Sequence, residues 1–213
     1  MPNPIIKSIT PKSAQILRLN KIYNDFESLF EAYSEQLLWW NKKVNLIGPS
    51  VSRETLRLHF VHCLIPSALG LLENAEYIVD AGTGGGLPGI PLAIAGEYKS
   101  VELVDTVQKK IFAIRQMIRN LKLISCSAHQ MSIGKFSPAK KSVLVTKHAF
   151  EIADLFKMTE TKDYIKYVFY KGYEEGLKEL KGVDIEKVNI YELDSFLDEE
   201  FFRGKAIFEI YKS

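Results

Sequence analysis

Between positions 20 and 40 the apolar residues Ile22, Phe26, Leu29, Phe30, Tyr33 and Leu37 recur three and four apart. That spacing brings each back to one side of a 3.6-residue turn, so it predicts an amphipathic helix ending near Trp39-Trp40-Asn41. Ser52, followed by Arg-Glu-Thr, marks a helix start, because a serine hydroxyl can accept an unpaired N–H of the first turn. His59 to Leu72 reads as a further helix, closed by the polar Glu73-Asn74. Past residue 75 the pattern changes. Tyr77-Ile78-Val79-Asp80 is a short β-branched run that meets Gly82, Gly84, Gly85 and Gly86, and Pro88-Gly89-Ile90-Pro91-Leu92-Ala93 follows. This predicts strand, tight loop and helix. Ser100 to Asp105 reads as a second strand, with Ile111, Ile114, Ile118 and Leu121 on one face of the next helix. Leu123 to Ser127 and Ser142 to Thr146 supply a third and a fourth strand. After Glu151 come one helix and the runs Ile165 to Tyr170, Lys187 to Leu193 and Ala206 to Tyr211. With little helix between the last two, they predict an antiparallel hairpin at the edge of a mostly parallel, seven-stranded sheet. The expected organisation is an α/β core over residues 75–213 behind a helical extension over residues 1–74.

Composition agrees with such a chain. With 46% apolar and 25% charged residues in 213 positions, it has too much core-forming material for a disordered protein and too little Gly and Pro for a collagen-like one. No apolar run approaches the roughly 20 residues of a membrane-spanning helix. MPNPIIKSIT lacks the basic segment and long apolar core of a secretory signal. Cys63 and Cys126 are far apart and read as small buried residues rather than a disulfide. These features give an expectation of a cytoplasmic, monomeric chain without membrane, metal or disulfide.

Charge changes the picture. Residues 1–150 hold 18 Lys and Arg against 11 Asp and Glu, whereas residues 151–213 hold 10 against 15. No acid stands between Asp105 and Glu151, but Lys109, Lys110, Arg115, Arg119, Lys122, Lys135, Lys140, Lys141 and Lys147 do. A stretch of one sign suits a polyanion, because each cation that neutralises a phosphate releases condensed counterions. A solvated surface balanced by the acidic last third is the alternative.

The glycine loop carries the candidate chemistry. Missing side chains let backbone N–H groups approach a ligand, and the following helix start favours negative charge. A dinucleotide fingerprint starting at Gly82 needs a glycine at position 87, where Leu87 stands. The pattern is instead Asp80-x-Gly82-x-Gly84-x-Gly86, the form seen in Rossmann-like enzymes that use S-adenosylmethionine. Asp80 is a candidate neighbour for the cofactor's ammonium group. Asp105 sits where an acidic residue accepts hydrogen bonds from ribose hydroxyls in related sheets.

These residues resemble a known family, the ribosomal RNA small subunit methyltransferase G proteins, also called glucose-inhibited division protein B. Trp40-Asn41-Lys42-Lys43-Val44-Asn45-Leu46 is similar to the family's W-N-x-x-x-N-L stretch, and His59 matches part of its R-H-x-x-x-S element. The segment from Asp80-Ala81-Gly82-Thr83 through Pro88 and Pro91 to Ala93 is the most specific, because the two prolines set this family apart. Leu103-Val104-Asp105 with Lys109-Lys110, and Tyr170-Lys171-Gly172, also fit. Three places depart: Ala128-His129-Gln130 stands near an R-A-E-like triplet, Lys147-His148-Ala149 replaces S-R-A, and Arg57-Leu58-His59 shifts the R-H arginine. The resemblance implies a class I methyltransferase fold and methyl transfer from S-adenosylmethionine to N7 of a guanosine in 16S rRNA, leaving S-adenosylhomocysteine. Its partner would be 16S rRNA or the small ribosomal subunit.

The candidate cofactor site is therefore Asp80, Gly82, Thr83, Gly84, Gly86, Pro88, Asp105 and Thr106, with His129 and Gln130 after the third strand. Lys147 and His148, at the carboxyl end of the fourth, are the candidate catalytic pair. Asn45, Lys109, Lys110, Arg115, Lys147 and Lys171 are the candidate RNA contacts. Guanine N7 carries a lone pair and no proton, so its methylation needs alignment rather than a general base. That accords with the absence of an Asn/Asp-Pro-Pro-Tyr/Phe motif and of a Pro-Cys nucleophile. A catalytically weak RNA-binding or ribosome-assembly protein that keeps the fold is the competing reading, and a small-molecule methyltransferase is a third.

Overall fold

The computed structural model describes residues 5–10, 12–49, 51–96, 98–139, 141–194 and 200–212. Lys140 lies outside them. One sheet runs through the molecule in the order β1-β7-β8-β6-β5-β2-β3-β4. Its strands are β1 Ile5–Ile9, β2 Tyr77–Ala81, β3 Ser100–Asp105, β4 Cys126–Gln130, β5 Ser142–Lys147, β6 Tyr164–Gly172, β7 Ile185–Glu192 and β8 Lys205–Lys212. β8 runs antiparallel to both β6 and β7, and every other pairing is parallel. The seven expected strands and the edge hairpin are present, and β1 adds an eighth beside β7.

Strand periodicity sorts the core into two layers. Side chains alternate across a sheet, so Ile78, Val143, Val145, Val168 and Tyr170 face one side while Val79, Leu144, Tyr167 and Phe169 face the other. Over the first side pack α1 Ser13–Asp25, α2 Glu27–Asn41, α3 Arg53–Ala68, α4 Gly89–Ala95 and α5 Gln108–Asn120. Over the second pack α6 Ile152–Met158 and α7 Tyr173–Glu179. The amino-terminal helices share the core of the α/β unit: Phe30, Tyr33 and Phe60 are almost fully buried and stack in series at 5.0–5.7 Å. Each such ring contributes roughly 2–3 kcal/mol by leaving water.

Four boundaries differ from those the pattern predicts. The segment 20–40 is split between α1 and α2 at Phe26, whose φ of −122° breaks the ladder without a Gly or Pro to announce it. The helices expected at Ser52 and at His59 to Leu72 are a single helix, α3, whose start is capped by Ser52 Oγ accepting from Thr55 N at 3.1 Å. A second helix, α7, follows β6 directly. β4 begins and ends three residues later than Leu123 to Ser127, since His129 and Ser127 are held by Glu102 of β3. Polar residues can lie in this strand because it is the edge of the sheet.

β2 lies between β3 and β5, and the chain leaves it in opposite directions on its two sides. Ligands of open α/β sheets bind outside the carboxyl ends of the strands at such a switch point.

Candidate functional site

The loop after β2 is built on Asp80. Its carboxylate is fully buried under the start of α4, where Oδ2 accepts from Thr83 Oγ1 at 2.6 Å and from Gly89 N at 2.8 Å. Oδ1 has no partner among the described residues. Burial therefore dominates, and it pushes the acid up to about 7 against the opposing pull of those two hydrogen bonds. Asp80 thus ties Thr83 of the loop to Gly89 at the start of α4. Asp80 and Pro88 line neither of the cavities described below, so ammonium recognition is not the visible task of Asp80.

A pH effect follows. The folded chain holds the Asp80 proton more tightly than the unfolded chain, so between pH 4 and 7 the folded state carries the extra proton and its stability falls as pH rises. Asp80→Asn keeps the site neutral and removes that fall, which amounts to something on the order of 4 kcal/mol for a shift of this size. Urea midpoints of both proteins across this pH range check it: the stability difference moves in favour of the variant as pH rises.

Above Asp80 the backbone turns through Gly82, Gly84 and Gly86, at φ of 68°, 56° and 95°. Gly84 N donates to Asp105 Oδ2 at 3.0 Å, and Val107 N donates to Asp105 Oδ1 at 2.8 Å. The carboxylate at the end of β3 is thereby clamped in orientation while remaining half-exposed. Underneath, Tyr33 Oη of α2 donates to Gly85 O at 2.8 Å.

Two cavities open at this edge. The larger, about 460 Å³, is bounded by Gly82, Asp105, Thr106 and Lys110 on one side and by Met131, Ser132, Ile133, Phe150 and Met158 on another. The smaller, about 220 Å³, is walled by Leu46, Ile47, Gly48, His59 and the loop from Gly82 to Gly85. Gly82, Lys147 and His148 line both, so the two are lobes of one groove. Asn41 shapes the outer wall of the smaller lobe: its Oδ1 accepts from Leu46 N and Ile47 N, each at 2.9 Å.

The groove carries an unusual set of bases. Lys147 Nζ donates to His59 Nδ1 at 3.3 Å. Burial, reinforced by the Lys147 charge, lowers both His59 and His148 to about 4, so both imidazoles are neutral at pH 7. Burial also lowers Lys147 from the ordinary lysine range. His148 adopts φ 55°, a left-handed turn that carries the chain out of β5 and over the groove. His62, one turn of α3 beyond His59, is buried against Tyr170, Phe201 and Phe202, and neither ring nitrogen has a partner among the described residues.

Gly82, Asp105, Thr106, Lys110, Lys147 and His148 meet at the larger lobe, and Thr83 and Gly84 at the smaller. His129 does not: its Nε2 sits 2.5 Å from Glu102 Oε2, on the flank of the sheet. Gln130 opens onto a separate hollow beside α5. Because β4 ends at residue 130, the positions that reach the groove are Met131 and Ser132, which the displaced strand assignment hid. Lys171 is buried and paired with Glu179 at 2.6 Å, so it faces away from solvent. The Arg115 guanidinium holds the Ala128 carbonyl through Nε and Nη2 at 2.9 and 2.8 Å. Asn45 is exposed and lines neither lobe. Cys63 and Cys126 are free and buried. Among the described residues no three His, Cys, Asp or Glu side chains gather as a metal site, and no helix is long and apolar enough to cross a membrane.

Comparison with known proteins decides the family. A family profile described as rRNA small subunit methyltransferase G matches residues 27–193. The chain belongs to that family. Among rRNA small subunit methyltransferase G proteins, the one from Flavobacterium psychrophilum is 28% identical over 192 residues, covering 87% of this chain and 88% of its own. Those from Chlorobium phaeobacteroides and Salinibacter ruber are 31% and 40% identical over 150 and 114 residues, covering 70% and 50% of this chain and 65% and 53% of theirs. The chain thus spans most of the first relative and about half to two thirds of the other two. Solved structures agree on the fold: the METTL16 MTase domain superposes with a TM-score of 0.58 over 96% of this chain and 99% of that one at 11% identity. A ribosomal protein L11 methylase from Lactobacillus delbrueckii subsp. bulgaricus does so at 0.51, 76%, 81% and 16%. The chain therefore has the class I methyltransferase architecture.

The groove fits a sulfonium nucleoside. Its larger lobe lies within the few hundred Å³ that such ligands fill. Gly82 brings backbone without a side chain to its rim, the Asp105 carboxylate held there would suit vicinal hydroxyls, and Met131, Ile133, Phe150 and Met158 form an apolar wall that would suit a purine.

Proposed function

We propose that this chain transfers a methyl group from S-adenosylmethionine to N7 of a guanosine in 16S rRNA. The clamped Asp105 beside the glycine turn, in a chain of this family, is the observation that carries the reading. Bound in the larger lobe, S-adenosylmethionine supplies an electrophilic methyl group. Asp105 would accept from both ribose hydroxyls, its two backbone donors keeping both oxygens in place. The smaller lobe, beyond Gly82, receives the guanine. Lys147, held by the neutral His59, donates to guanine O6 and leaves the N7 lone pair free. No side chain has to take a proton, so orientation of the two partners provides the rate.

The test is transfer of labelled methyl to deproteinised 16S rRNA and to small subunits, followed by mapping of N7-methylguanosine. Lys147→Ala removes one charge-assisted hydrogen bond and is expected to lower kcat/KM on RNA by about 10- to 100-fold while cofactor affinity changes little. Equal loss of both would argue against an RNA-side role. A second reading, an assembly protein that binds RNA without methylating it, draws on Lys147-His148 and Ala128-His129-Gln130 standing where the family carries arginine. The same assay separates the two.

A further inference from the structure

The chain has two tryptophans, Trp39 and Trp40, and both stand at the end of α2 beside α5. Trp39 is 50% exposed and Phe112 of α5 is 56% exposed. Trp40 joins them, edge to face with Trp39 at 4.8 Å and with Phe112 at 5.8 Å. Lys43 Nζ lies 3.4 Å over the Trp39 ring. Leaving such rings in water forgoes their burial energy, so a row of them marks a contact surface.

Two hollows flank this row. One, of about 430 Å³, lies between Glu35, Gln36, Trp39 and Trp40 of α2 and Gln116 and Asn120 of α5, the Glu35 charge being paired with Arg53 at 3.3 Å. The other, of about 310 Å³ and mostly apolar, lies between Val44, Phe112, Lys109 and Gln130. Lys109 lines this second hollow and its neighbour Lys110 lines the cofactor lobe, so the surface continues into the groove. α5 contains Lys109, Lys110, Arg115 and Arg119 and no acid. Flat rings spaced among cations match a nucleic-acid strand whose bases are unpaired: phosphates meet the ammonium groups and bases stack on the rings. A duplex hides its base faces and could use only the cations.

We propose that the α2–α5 face binds unpaired nucleobases flanking the target guanosine and holds the RNA across the groove. The proposal rests on RNA being the substrate, and it names where a single-stranded segment docks.

Both tryptophans report from this face, so their emission reads it directly. Titration with a short single-stranded purine RNA is expected to quench the wild-type protein, and the same RNA annealed into a duplex is not. Trp39→Ala and Phe112→Ala each remove an exposed ring, with melting curves to confirm folding. Each is expected to weaken single-strand binding and raise KM for rRNA by about tenfold, with the S-adenosylmethionine dissociation constant as in wild type. Unchanged binding and KM in both variants, or equal quenching by duplex, overturns the stacking surface. Emission that shifts with protein concentration alone assigns the face to a second copy and also overturns it. Wild-type protein that methylates rRNA while both variants match it leaves the function standing and removes the surface. Quenching by single strands without any methyl transfer does the reverse.

Discussion

Asp105→Ala is expected to weaken S-adenosylmethionine binding by about 100-fold or more. The ribose loses two charge-assisted acceptors, each worth roughly 1.5–3 kcal/mol. Gly84 N and Val107 N lose theirs as well, so the turn is free to relax. Asp105→Asn separates these effects, since an amide oxygen still accepts one backbone N–H while the paired recognition of the diol is broken. Calorimetric titration of the three proteins provides the check. An unchanged dissociation constant for Asp105→Ala would remove the ribose role and, with it, the main support for the proposed cofactor.

Gly82→Ala is expected to cut methyl transfer by about 100-fold. The residue has φ 68°, which costs a non-glycine residue about 1 kcal/mol or more. The larger penalty is steric. A Cβ here would stand 2.5 Å from Ala149 Cβ and 2.9 Å from the Phe150 ring, so residues 147–150 must retreat. Those residues carry Lys147 and His148 and wall both lobes. Cofactor affinity and turnover should therefore fall together, by about 100-fold in kcat/KM, since reacting groups tolerate little misplacement. Gly84→Ala provides the contrast: it has a similar φ, but nothing lies nearer than 3.7 Å to its Cβ, so the steric part is absent. Steady-state rates for the two variants decide it, and equal losses would point to backbone strain alone.

What could be foreseen from residue types, and what could not, divides along physical lines. The turn from Asp80 to Gly86 was legible because left-handed φ values recruit glycine, and Asp105 because a strand end fixes where its side chain emerges. The short apolar runs Ser142 to Thr146 and Ile165 to Tyr170 predicted strands, and most residues of β5 and β6 are indeed buried in the centre of the sheet. The end of β4 was hidden because Ala128-His129-Gln130 looks like a polar loop until Glu102 on the next strand is seen to bind His129. The break at Phe26 carries no punctuating residue. Lys171 read as an RNA contact because its charge is local information, whereas its partner Glu179 lies on α7, a helix the pattern did not show. Met131 and Ser132 reach the groove only because β4 is displaced by three residues.

The bond from the Tyr33 hydroxyl to the Gly85 carbonyl gives the leading helices a share in ligand traffic. Tyr33 is fully buried and stacked on Phe60 at 5.0 Å, so the turn and α2 are mechanically joined at this residue. A displacement of α2, whatever its source, is therefore passed to the glycine turn through one hydrogen bond and the packing around Tyr33.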